Sequence, residues 1–206
     1  MAMAALIEKV VEELEGSGIA LSKAASKDVY DERRASHVVQ SAATDESKSI
    51  EGGYSSRPLK AVESFEVADC LTFFVYKRTG EDVSVSVDHM KIVEWSGKNA
   101  GTECSPDPND LESRNLAKIL SALKDSEEQR PIHVDRGDRH VLLFIPGPAT
   151  RASQFGRQMI TDITLYIKNE LQRLSLPLVQ YGMFEPEDAA SPTSYMLSLQ
   201  RYLYYH

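Results

Sequence analysis

Thr150, Arg151 and Ser153 are the best-placed anion donors in the chain. They follow an apolar run, His140 to Ile145, that stops at Pro146-Gly147-Pro148, and they precede a long amphipathic stretch. A strand, a tight loop and a helix is the simplest physical reading, and the unpaired amides at a helix start attract negative charge. Hydroxyls and a guanidinium beside such amides suit a phosphate ester or a nucleotide. The loop nevertheless lacks the GxxxxGK[ST] spacing and its lysine, and Pro148 removes an amide. Capping explains Thr150 and Ser153 equally well. On the exposed side of the helix that follows, Arg151, Arg157 and Lys168 would form the basic surface of an RNA-binding protein.

His133, Asp135, Asp138 and His140, with His89, are residue types that hold divalent ions or move protons. In strands flanking a turn, His133 and Asp135 would share a face, as would Asp138 and His140. Asp and Gly also favour turns for conformational reasons alone, and no further ligand has a fitting spacing, so neither a metal nor a cofactor is expected. Arg136-Gly137-Asp138 reads as that turn. Cys70 and Cys104 lack CxxC spacing, and neither GxSxG nor HExxH occurs. The balance leans away from an enzyme.

Binding to another protein, or to a second copy of the chain, has better support. Leu6, Val10 and Leu14 recur about one turn apart in a glutamate-rich segment ended by Gly16-Ser17-Gly18. Such a short amphipathic helix is marginal in water and needs something to pack on. At the other end, Tyr195, Leu199 and Tyr202 would share one face of a helix over Thr193–Tyr205. Tyrosines suit interfaces because they bury a large area at low entropic cost.

The elements that position these residues follow from periodicity. Residues 1–16 read as the amino-terminal helix. Residues 17–58, rich in Ser, Ala and charge, read as a flexible segment with at most a transient helix over Asp28–Gln40. A single α+β domain is expected over 59–206. Ala61–Val67 gives an imperfect strand, and Cys70–Lys77 and Asp82–Val87 give a hairpin around Arg78-Thr79-Gly80-Glu81. Met90–Trp95 would add a third strand. A helix is expected from Asp107, which caps Pro108, and Ile132–Val134 would pair with His140–Ile145. In the long helix, Phe155, Met159, Ile163, Ile167, Leu171 and Leu174 recur on one side, with Arg157, Thr161, Thr164, Lys168 and Gln172 opposite. A strand over Leu176–Phe184 follows. The expected fold is a mainly antiparallel sheet with helices packed on one face.

The whole chain is consistent with that scheme. Its 206 residues carry a net charge of −8 and 42% hydrophobic residues. An acidic balance disfavours nonspecific attraction to nucleic acid or anionic membrane. No apolar run approaches the roughly 20 residues that span a bilayer. Glu8, Glu12, Glu13 and Glu15 fall where a signal peptide would be apolar, which points to the cytoplasm, including a host cytoplasm for a viral or effector protein. The expected function is a non-enzymatic interaction module: an adaptor, an effector, or a viral accessory or structural subunit.

Overall fold

The structure is a computed structural model, and it describes residues 19–91, 139–152, 154–173, 179–183 and 194–206. The expected amino-terminal helix with Leu6, Val10 and Leu14, the helix from Asp107, and the strand at 132–134 lie outside them.

Two five-stranded sheets pack face to face; the first combines two parallel with two antiparallel pairings, and the second is mainly antiparallel. The elements in chain order are β1 (Ala20–Lys23), α1 (Lys27–Ala35), β2 (Val38–Ala42), β3 (Glu46–Gly53), β4 (Lys60–Ser64), β5 (Cys70–Thr79), β6 (Asp82–Lys91), β7 (Arg139–Pro146), α2 (Pro148–Ala152), α3 (Gln154–Arg173), β8 (Val179–Met183), β9 (Tyr195–Ser198) and β10 (Tyr202–Tyr205). The first sheet runs β1-β10-β9-β4-β2 and the second β3-β6-β5-β7-β8.

The expected hairpin forms as β5 and β6, which meet at Thr79 and Asp82. Only Gly80 and Glu81 connect them, and Gly80 takes a φ of 60°, a conformation glycine adopts freely. Every residue of β5 from Cys70 to Tyr76 is buried, because both of its faces are covered. Thr72, Phe74 and Tyr76 point at the first sheet. The Thr72 hydroxyl lies 2.8 Å from that of Ser64, and the Tyr76 hydroxyl donates to the Leu199 carbonyl at 3.3 Å. Leu71, Phe73 and Val75 point the other way, and Phe73 stacks on Phe144 of β7 at 5.0 Å. Such a pair adds about 1 kcal/mol beyond the area it buries. Ile160, Ile163 and Ile167 of α3 complete the same core.

Several expectations change. Residues 20–53, expected within a flexible 17–58 segment, instead supply β1, α1, β2 and β3. Their local apolar content is low, but β1 pairs with β10, β2 with β4 and β3 with β6, so burial comes from distant partners. The terminal helix over Thr193–Tyr205 is replaced by β9 and β10. Tyr195 to Ser198 are all buried, so no apolar–polar contrast distinguishes period 3.6 from period 2, and pairing with β4 decides. In α3, Thr164 is buried rather than solvent-facing, whereas Leu165 is 52% exposed. The helices do not share one face: the chain crosses from edge strand β1 to the opposite edge strand β2 through α1, which lies on the outer side of the first sheet.

Candidate functional site

The loop expected to offer donors to phosphate is fastened to the protein instead. Gly147 N donates to the Cys70 carbonyl at 2.8 Å, Ala149 N to Ala68 at 3.0 Å and Arg151 N to Gly147 at 3.1 Å. A Cβ on Gly147 would lie 2.4 Å from the Ala68 oxygen, so only glycine permits this approach. Thr150 is buried, and Ser153 lies outside the described residues. Arg157 is exposed and donates to the Arg151 and Ala152 carbonyls, both at 3.3 Å, tying α3 to α2. Lys168 lies in α3.

The histidine–aspartate group is not assembled in the described part. His133, Asp135, Asp138 and Cys104 lie outside it, while His89 and His140 are buried in β6 and β7. No three ligand-type side chains come together among the described residues. His89 Nδ1 lies 3.3 Å from the Ala42 carbonyl, a bond it makes as the donor. Burial holds this imidazole below its ordinary pKa, against the opposing pull of Asp45 and Asp69. Burial raises the Cys70 thiol, which keeps it protonated and unreactive near neutrality.

The carboxyl-terminal residues divide between core and surface. Tyr195 and Leu199 have no solvent exposure and belong to the core. Tyr202 is 45% exposed, and strand alternation places Tyr204 on its side of β10. Their rings stack at 6.0 Å with 23° between planes. His37 meets Tyr204 edge-on at 5.6 Å, and the Arg33 guanidinium lies over the same ring at 5.3 Å. Tyr202, Tyr204, Arg33 and His37 thus form an aromatic and cationic patch where the end of α1 meets β10.

No family model matches the chain, and no curated protein is detectably similar to it.

A buried network holds α1 in the position that creates the patch. Ser26 caps the helix, its hydroxyl accepting from Val29 N at 3.3 Å, and Arg33 and Arg34 complement the helix dipole in the last turn. Arg33 turns outward to Tyr204, while Arg34 turns inward to Glu63 of β4, whose side chain is fully buried. Glu63 accepts from Arg34 Nε at 2.9 Å, Tyr30 Oη at 3.1 Å and Ser41 Oγ at 2.5 Å. Burial, followed by the Glu63 charge, drives the Tyr30 phenol far up, so it remains a donor. Sequence reasoning found Tyr202 but missed Arg33, His37 and Tyr204. The signal available was the alternation Tyr202-Leu203-Tyr204, a strand pattern with both tyrosines on one side.

Proposed function

We propose that this protein is a non-enzymatic interaction module, and that its partner is a protein segment carrying carboxylates beside apolar residues. The observation that supports this is the stacked pair Tyr202 and Tyr204 with Arg33 over the ring. Rigid, half-exposed tyrosines bury area with few rotors to freeze, and Arg33 selects for negative charge. The patch therefore differs in sign from a chain of net charge −8, which favours an acidic partner here over another copy of this acidic protein.

The test is fluorescence anisotropy with two labelled peptides of equal length, one alternating Glu and Trp, the other Lys and Trp. The acidic peptide is expected to bind at least tenfold more tightly. Tyr202→Ser should weaken it about tenfold, the usual size of a modest hot spot, and Arg33→Glu should reverse the preference. Equal binding of both peptides, or indifference to both substitutions, would sink the proposal. A dimer in light scattering that Tyr202→Ser converts to monomer would replace the acidic partner with a second copy.

A further inference from the structure

The chain enters the fold beside the tyrosine patch. Ile19 is buried in the core, and Ala20 N donates to the Arg201 carbonyl at 2.9 Å. From there β1 runs parallel to β10, with Ala20 opposite Tyr202 and Ser22 opposite Tyr204. Register partners share a face of a sheet, and neighbouring strands lie about 4.8 Å apart. Ala20 and Ser22 therefore stand beside the two stacked rings on the outer side of the first sheet. Both side chains are too small to cover the rings on this flank, and Tyr202 is 45% exposed.

The sequence before β1 matches what the patch selects. Residues 1–18 hold four glutamates and one lysine, a side-chain charge of −3, around Leu6, Ile7, Val10, Val11 and Leu14. At helical spacing these five apolar residues form one stripe, and Glu13, one turn beyond Val10, borders it. Carboxylates beside apolar residues are the chemistry that Tyr202, Tyr204 and Arg33 accept. The point of attachment favours the same pairing. Because β1 and β10 are parallel, a straight continuation before Ala20 would pass Tyr202 and leave Tyr204 behind. Gly16-Ser17-Gly18 stands where the chain must reverse to cover both rings.

We propose that residues 6–15 dock on the Tyr202, Tyr204 and Arg33 patch of their own chain and withhold it from other partners. The proposal rests on reading the patch as a dock for acidic, apolar segments. Leu6, Val10 and Leu14 lie against the tyrosine rings, and Glu13 meets the Arg33 guanidinium. A tether as short as Gly16-Ser17-Gly18 gives an effective concentration of about millimolar, so weak contacts suffice. A second copy offers the same segment only at its far lower solution concentration, which favours the intrachain contact. An external partner binds only the open fraction, so its apparent affinity falls by that fraction.

The experiment follows the anisotropy of a labelled peptide of residues 1–18 titrated with the full chain. A triple variant, Leu6→Ser with Val10→Ser and Leu14→Ser, should open the patch without touching β1. The peptide is expected to bind it at least tenfold more tightly than the parent, and adding Arg33→Glu should remove the gain. Glu13→Lys opens the patch by charge instead, and decides should the triple variant not fold. Equal affinity for the parent and both opened variants overturns the proposal. So does a parent that is dimeric in light scattering and monomeric in the triple variant, which would seat the segment on a second copy. The alternating Glu and Trp peptide separates this proposal from the reading beneath it. If that peptide binds parent and triple variant alike, the patch is a dock but the segment does not occupy it, and the proposal falls alone. If only the 1–18 peptide binds the triple variant, the segment is the occupant and the external acidic partner falls. If neither binds, both fall.

Discussion

His89 shows what one buried titratable side chain does to stability. Val83, Val85 and Val87 alternate toward the first sheet, and the same period carries His89 inward. From the sequence, that strand ends at Val87 and another begins at Met90, leaving His89 between them as a candidate metal ligand; instead β6 continues unbroken through His89 to Lys91. Because burial lowers its pKa, the folded protein resists a proton that the unfolded chain accepts below about pH 6.5. The stability this neutral imidazole supports is therefore intact above pH 6.5 and declines as pH falls toward the folded-state pKa. His89→Asn keeps an amide that can donate to Ala42 but cannot titrate. Denaturation midpoints at pH 7.5, 6.5 and 5.5 should show the parent losing ground to the variant on acidification. A parent–variant difference independent of pH would contradict this.

At the scale of elements, α1 is held to the first sheet by one buried carboxylate. Arg34 remains partly exposed, with 42% of its side chain accessible, whereas Glu63 has none. Arg34→Met leaves Glu63 buried with two neutral donors, and the expected loss is about 2–4 kcal/mol, near the cost of removing one partner from a buried pair. Adding Glu63→Leu should restore a substantial part of it, since an apolar pair needs no compensation for lost hydration. Urea denaturation of the two single variants and the double variant checks this, and strict additivity would argue against coupling. Neither the helix nor its anchor was legible as such. A transient helix over Asp28–Gln40 was, but Glu63 in a strand of mixed composition gives no sign of burial until β2 and β9 flank it. The β5–β6 hairpin, β7 and α3 were legible because their pairing or periodicity is local. Gly147 was visible only as a loop glycine, because its role depends on the backbone of Ala68 and Cys70.

For the molecule as a whole, the decisive pairing joins parts far apart in sequence. Ala20 pairs with Tyr202 in parallel, and β10 also pairs with β9, so β10 sits inside the first sheet rather than at its edge. Leu203 is fully buried there. Ending the chain at Gln200 should therefore abolish cooperative melting followed by circular dichroism rather than lower it by a few degrees. A sharp transition near the parent temperature would show that β10 is dispensable. The two-sheet arrangement was not readable from composition, because strands such as β1, β2 and β3 become apolar on one side only through partners distant in sequence. The same pairing bears on how the protein is made. On the ribosome, the β5–β6 hairpin can close as soon as it emerges, whereas β1 and β2 leave the exit tunnel long before β10 exists. Such high contact order slows folding and leaves strand edges unpaired in the nascent chain. The first sheet consequently closes late, and the nascent chain that still lacks β10 is the state in which chaperones would find this protein.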